Sequence, residues 1–404
     1  MNKKISLGFT IAIAAVAVIV SSVVTLFVLF NQYDELLADL PDRARQYEKL
    51  ADVDELVRSN YYGEIDSKKI DSSLASGYLS GLDDPYCYYI DSDDKDAYYA
   101  YIDGELTGIG LTSYYDSSTG YLRVSFVEDD SPAANNGITT DCYIISVNGK
   151  KVSSDNAEEL YSLLNDSRKK NIRLEYIESA DSDNINVLEI ESGYRLKSCY
   201  YKADGTVAYI RLSAFYSDTH EQFAFAVQNI KAEGISAVIL DLRNCNGNNL
   251  ESATKIIDMI VPIGSEGSGA IYTAKNSSGN IIKQVVSDAA AENLSFAVLI
   301  NDRTECAAEL IACDLRDFGK AVIIGETSAG HGTMQEYFSL DNGGIVSITV
   351  AEIFPYISDS FDNVGVKPDF EVLTSESFKN QISNMTDFSA DEQYQKAHSY
   401  LSGK

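Results

Sequence analysis

The second half of the chain is patterned in short apolar runs separated by helically spaced segments. Val207 to Leu212, Ala237 to Arg243, Phe296 to Ile300 and Ala321 to Ile324 are unbroken or nearly unbroken apolar runs, which suits buried strands. Between them, Phe223, Val227 and Ile230 recur at helical spacing and stop at Gly234, and Leu250 to Val261 reads as a further helix. Ala307, Leu310, Ile311, Leu315 and Phe318 recur the same way and stop at Gly319. The order strand, helix, strand across 296–324 predicts parallel strands joined by a right-handed crossover, with the turns after both strands at one sheet edge. Two hairpins are expected as well. One joins Ala270–Thr273 to Ile281–Val286 through Ser-Ser-Gly-Asn, and one joins Tyr337–Leu340 to Ile345–Ala351 through Asp341-Asn342-Gly343-Gly344. Upstream, Asp34 to Arg58 is charged and periodic, a helical stalk, and Ser67 to Leu82 reads as a second helix. The tail from Ser375 reads as helical and acidic, and the chain holds no repeat.

One stretch breaks the globular pattern. Residues 7–30 contain no charged side chain. As a helix they would span about 36 Å, enough for a bilayer core of roughly 30 Å. That is longer than the apolar region of a cleaved leader, about 7–15 residues, and no small-x-small site follows. The sequence therefore predicts a retained anchor. Lys3 and Lys4 precede it and Asp34, Glu35 and Asp39 follow, which puts residues 1–6 in the cytoplasm and 31–404 on the extracytoplasmic side.

Charge and cysteine content narrow the partners. Lys and Arg total 32 against 61 Asp and Glu, a net charge of −29, which argues against nucleic-acid binding. The six cysteines form no CxxC pair and no metal-ligand spacing, and only three histidines accompany them. No metal and no cofactor are expected. An even cysteine count in an exported chain permits disulfides without naming a pair. A homo-oligomer is left open.

Cys306 falls where the polar turn after Phe296–Ile300 enters its helix. His331 falls in the Gly-rich turn after Ala321–Ile324. A thiol attacks only as thiolate, and a helix N-terminus beside an imidazolium can lower a cysteine pKa to about 3.5–7.5. The plain alternative is a packed core cysteine and a solvated loop histidine.

Several motifs, taken in order, carry a resemblance. Gly325-Glu326-Thr327-Ser328-Ala329-Gly330-His331-Gly332-Thr333-Met334-Gln335 resembles the lysine-bearing segment of the carboxy-terminal processing peptidases, the tail-specific serine proteases. Thr304-Glu305-Cys306-Ala307-Ala308-Glu309 resembles their nucleophile segment, Thr-Ala-Ser-Ala-Ser-Glu. The family places its Ser where Cys306 stands, its Lys where His331 stands, 25 residues on, and its Gln at Gln335. The resemblance thus implies a Ser-Lys-Gln site rewritten as Cys306-His331-Gln335. Lys serves a Ser hydroxyl when desolvated, and His is the usual partner of a Cys thiol, so the two changes are chemically paired. Asn244-Cys245-Asn246-Gly247-Asn248-Asn249 is similar to the family's Asn-Asn-Pro-Gly-Gly turn. That assigns oxyanion donors to Gly247 and to the N–H of Ala307. Cys245 is also placed where it could approach Cys306.

The remaining motifs extend the likeness. Leu82-Asp83-Asp84-Pro85-Tyr86-Cys87 is similar to the stretch that precedes a PDZ module in this family, and reads equally as a Pro turn with aromatic packing. Gly108-Ile109-Gly110-Leu111 resembles the carboxylate-binding loop of that module, with Tyr143 to Gly149 its Asn-Gly hairpin and Glu158 to Asn165 its groove helix. Gly365-Val366-Lys367-Pro368-Asp369 resembles the family's closing motif. The implied fold is α/β, a ClpP/crotonase-like protease core with an inserted PDZ domain. The implied division is a tip at 1–6, an anchor at 7–30, a helical region at 31–107, PDZ at 108–191, the core at 192–374 and a helical tail at 375–404. What the resemblance implies is an endopeptidase that captures proteins or peptides by their C-termini, through strand addition beside the loop. Two rivals are an inactive pseudoprotease that only binds C-termini, and a thiol-redox protein using Cys245 with Cys306.

Overall fold

The computed structural model describes residues 40–106, 108–128, 130–165, 171–247, 249–262, 270–288, 292–382 and 387–403. The expected anchor at 7–30 lies outside them, and no helix among the described residues is long and apolar enough to cross a membrane. The chain divides into two units, Met1–Leu74 and Ala75–Lys404. In the first, the predicted stalk is the helix Leu40–Asn60, with an Arg58–Asp54 pair one turn apart.

The second unit is built on a six-stranded sheet. Its order is Cys199–Asp204, Val207–Leu212, Ala237–Asp241, Ser295–Ile300, Ala321–Gly325, Phe370–Glu371. The first pair is antiparallel and every later pair is parallel. Alternate side chains explain why these strands read as continuous apolar runs. Ile210, Val238, Leu240, Phe296, Val298 and Ile300 bury one face with the helices Thr219–Ala232, Leu250–Ile260 and Ala307–Asp317. Tyr209, Ile239, Ala297, Leu299 and Ile324 bury the other with Tyr394, Ala397 and Leu401. A parallel sheet covered on both sides has no polar face to show. The cover on the second face is the helix Glu392–Ser402. What the sequence presents as an acidic tail is thus part of the core, and among its described residues are the helices Glu376–Lys379 and Glu392–Ser402.

A second sheet runs Tyr88–Ile90, Ile345–Pro355, Ala270–Lys275, Ile281–Val286, with Thr333–Ser339 also on Ile345–Pro355. Both expected hairpins are present. A third sheet, Leu111–Asp116, Tyr121–Val127, Tyr143–Val147, Asn171–Ile177, Asn186–Glu191, carries the helices Pro132–Asn135 and Ala157–Leu164. Ile109, Leu122, Val124, Ile144, Leu160, Leu164 and Leu174 form its separate core. Leu111–Asp116 is its edge strand.

Candidate active site

Three turns leave the carboxyl ends of three adjacent parallel strands, Ala237–Asp241, Ser295–Ile300 and Ala321–Gly325. They carry Gly247, Cys306 and His331, and parallel pairing brings them to one sheet edge. The first two turns are stitched by amides. Asn301 Oδ1 accepts from the Asn244 N–H at 3.0 Å, and Asn301 Nδ2 donates to Asn244 Oδ1 at 2.8 Å. The Glu305 N–H donates to the Cys245 carbonyl at 3.0 Å.

Cys306 opens the helix Ala307–Asp317 with φ 46° and ψ −106°, a left-handed backbone that costs a side-chain-bearing residue about 1–3 kcal/mol. Sharp strand-to-helix turns of this kind raise a nucleophile above the sheet. Glu309, one turn into the helix, holds the strain in place. One carboxylate oxygen accepts from the Cys306 N–H at 2.8 Å and the His331 N–H at 2.9 Å. The other accepts from the Gly330 N–H at 2.7 Å and the Ser328 hydroxyl at 2.5 Å. A single buried carboxylate therefore ties the cysteine turn to the histidine turn. Burial raises its pKa above the usual carboxylate value, while the four donors pull it back.

Cys306 and His331 open into one cavity of about 580 Å³, with Tyr86, Tyr98, Gln335 and Tyr337 also in its wall. Both are almost fully buried. Their electrostatic state differs from expectation. Burial, then the Glu309 carboxylate, push the Cys306 thiol up to about 12, against the opposing pull of the Ala307 amide. Burial lowers His331 to about 4, although Asp84 favours its cation. The helix N-terminus is too weak to offset desolvation with a carboxylate beside it. The resting pair is a neutral thiol and a neutral imidazole, not a thiolate and an imidazolium.

Three further contacts correct the expected geometry. The Ala307 N–H, expected as an oxyanion donor, donates to the Gly247 carbonyl at 3.1 Å. The hole is closed by the very residue expected to share it. Gln335, expected to orient His331, donates from Nε2 to Thr333 Oγ1 at 2.8 Å and Thr349 Oγ1 at 3.1 Å. Neither ring nitrogen of His331 has a hydrogen-bond partner. Cys306 Sγ lies 4.0 Å from the Thr333 carbonyl oxygen and is not hydrogen-bonded to His331. Cys245 is a free, buried thiol, as is Cys306.

What orients His331 is Tyr86, whose ring stacks on the imidazole with centroids 3.4 Å apart and planes 7° apart. Beyond it, Tyr88, Tyr98 and Tyr337 share hydroxyl contacts of 2.6 and 3.0 Å. Sequence reasoning missed the roles of Tyr86 and Glu309. Both stood inside quoted motifs, so the signal was there, but nothing in the spacing told a ring from a core filler.

In the third sheet, Gly108 and Gly110 have φ 78° and 77°. The Ile109 N–H of the expected carboxylate loop donates to the Leu164 carbonyl at 3.0 Å, and the Gly108 carbonyl accepts from Gly193. Leu111, at the end of the loop, begins the edge strand. Among the described residues the edge pairs only with Tyr121–Val127, while one loop amide is already used.

Residues 206–372 match the model of peptidase family S41. The carboxy-terminal processing protease CtpA of Bacillus subtilis is 27% identical over 369 residues, covering 91% of this chain and 77% of that protein. A probable CtpA-like serine protease of Staphylococcus aureus is 24% identical over 328 residues, covering 81% of this chain and 64% of that protein. Two solved structures are similar at lower identity. The photosystem II D1 C-terminal processing protease matches with 22% identity and a TM-score of 0.47, over 77% of this chain and 84% of that one. A putative S41 protease from Bacteroides fragilis matches with 17% identity and a TM-score of 0.49, over 85% and 91%. Residues 206–372 thus carry a peptidase family S41 domain, and the chain is similar over most of its length to carboxy-terminal processing proteases.

Proposed function

We propose that this protein is a membrane-anchored, extracytoplasmic endopeptidase that cuts proteins captured by their C-termini, with Cys306 as nucleophile and His331 as base. One observation carries the reading. A cysteine on a strained turn at a helix start and a histidine free at both nitrogens open into the same cavity.

The chemistry starts from two neutral groups. As Cys306 Sγ attacks a peptide carbonyl, its proton passes to His331, and the carbonyl oxygen takes the negative charge. Collapse breaks the C–N bond, and the imidazolium gives its proton to the leaving amine. Water then attacks the thioester with His331 again as base, releasing the new carboxylate and the thiol. Substrate must bring the two side chains together, since they share no hydrogen bond at rest. It must also displace the Gly247 carbonyl from the Ala307 N–H before that amide can serve an oxyanion. Gln335 then acts through its neighbourhood of His331 rather than through a bond present at rest. The PDZ-like sheet, by strand addition along Leu111–Asp116, would present the captured end, and residues 7–30 would hold the enzyme at the membrane.

The test is cleavage of an unfolded protein with an apolar C-terminus by the full chain in detergent under reducing conditions, beside Cys306→Ala and His331→Ala. Loss of cleavage in both variants is the expected result. Cleavage that survives either substitution rejects the pair. The second reading is a scaffold that binds C-termini without cutting, and binding with no cleavage by the wild type would establish it.

A further inference from the structure

The S41 match ends at residue 372, yet the next few residues reach all three turns of the site. Lys379 lies in the short helix Glu376–Lys379 and is almost fully buried. Its ammonium contacts Asp302 at 2.9 Å, Glu326 at 2.7 Å and Glu376 at 3.1 Å. Its carbonyl accepts from Asn244 Nδ2 at 2.7 Å. Asn244 begins the turn to Gly247, in a left-handed conformation with φ 54°. Asp302 is in the turn to Cys306, and Glu326 begins the turn to His331. Side bonds reinforce each arm. Arg303 donates to Glu376 at 2.6 Å and to Asn380 at 2.7 Å. Glu326 accepts from the Thr374 N–H and hydroxyl, each at 2.7 Å.

We infer that Lys379 is a positioning residue for the reaction, a clamp from outside the S41 domain that sets the spacing of the turns bearing Gly247, Cys306 and His331. It touches no substrate and acts through those turns.

The physical grounds are these. Asp302 and Glu326 belong to different turns, and two carboxylates brought to one point repel unless a cation sits between them. A buried ammonium must in turn keep its anionic partners, because losing one leaves an uncompensated charge. The turns bearing Cys306 and His331 are therefore fixed relative to one another by a single point charge, while the carbonyl of the same residue ties in the third, the oxyanion turn. The arrangement matters because the site is out of reacting geometry at rest, and a shift of about 1 Å in a reacting group can cost about a hundredfold in rate.

The inference rests on Cys306 and His331 being nucleophile and base, so its test has a readout that does not need turnover. Wild type, Lys379→Met and Lys379→Arg, as full chains in detergent, are compared below their melting temperatures. kcat and KM are measured on the unfolded substrate, and the rate of iodoacetamide alkylation of Cys306 is followed by mass spectrometry at pH 8. Lys379→Met is expected to lower kcat by about tenfold to a hundredfold with KM within about twofold. It should also speed Cys306 alkylation by about threefold or more as the buried turn loosens. Lys379→Arg, which keeps the charge, should restore most of both. kcat and alkylation both within about twofold of wild type in folded Lys379→Met overturn the clamp, because a merely structural lysine would change only the melting temperature. Should Lys379→Met fail to fold, Glu376→Gln replaces it, with alkylation expected to rise in the same direction and no change overturning the inference. Should the wild type not cleave at all, the proteolytic reading fails, and the alkylation comparison alone decides the clamp.

Discussion

The Ala307 N–H donates to the Gly247 carbonyl oxygen at 3.1 Å. An amide that should face a developing oxyanion thus faces a carbonyl instead. The contact is tight: a Cβ placed on Gly247 would lie 2.3 Å from Ala307 N and 2.3 Å from the Glu305 carbonyl. Gly247→Ala should push the turn off the nucleophile helix and remove one donor. Such a donor is worth about 10²–10³ in kcat, and kcat from single-turnover cleavage should fall by about that factor. An unchanged kcat would separate Gly247 from the chemistry.

The resting protonation states set the pH dependence. His331 is lowered to about 4 from the ordinary 6.5 by burial, so the neutral base persists down to about 4. The acid limb of kcat/KM should therefore lie near 4, with no thiolate limb at neutral pH because burial and Glu309 hold Cys306 up near 12. Stability follows the same sign. Between 6.5 and 4 the unfolded histidine binds a proton that the folded one refuses, so stability present above 6.5 is lost as pH falls through that window. Melting temperature against pH should show this slope in wild type and a flatter one in His331→Phe. Identical slopes would mean that His331 is solvated.

Tyr86 covers one face of the His331 ring by lying flat on the imidazole. Tyr86→Ala should let water reach the ring and move the acid limb from about 4 toward the ordinary 6.5. A pH profile of kcat/KM reads this directly. An acid limb that stays in place would assign the burial to other walls of the cavity.

Glu309 accepts from four donors on two turns. Glu309→Gln offers one oxygen and turns an NH₂ toward donors, so at least one buried N–H is orphaned. Each orphan costs about 1–3 kcal/mol. The urea midpoint should fall accordingly, and Cys306, no longer beside a carboxylate, should alkylate with a lower apparent pKa. A midpoint equal to wild type would show that the turns do not depend on the carboxylate.

Much of the fold was legible along the chain. The runs from Val207, Ala237, Phe296 and Ala321 are buried on both faces, so they needed no partner knowledge to be read as strands. The turn residues Asn342-Gly343-Gly344 and Ser277-Ser278-Gly279 mark hairpins by backbone freedom alone. The tail was read less well. Glu392–Ser402 carries apolar residues at Tyr394, Ala397 and Leu401 among polar ones, and a narrow stripe of this kind does not announce which sheet it covers. Its ties to the core span long separations: Arg243, fully buried, donates to Asp391 at 2.8 Å and to Asp241 at 2.6 Å.

At the site, residue type and order were enough to bring Cys306 and His331 to one edge, because parallel crossovers send successive turns there, while Gln335 and Gly247 were nominated by the family resemblance. The chain alone also set the chemistry available there, a thiol and an imidazole. Their protonation was decided by tertiary structure, since desolvation depends on what packs around a group and not on its neighbours in the chain. So was the direction of each hydrogen bond. Whether Ala307 faces solvent or the Gly247 carbonyl, and whether Gln335 turns to His331 or to Thr349, depends on how a few turns settle against one another in space.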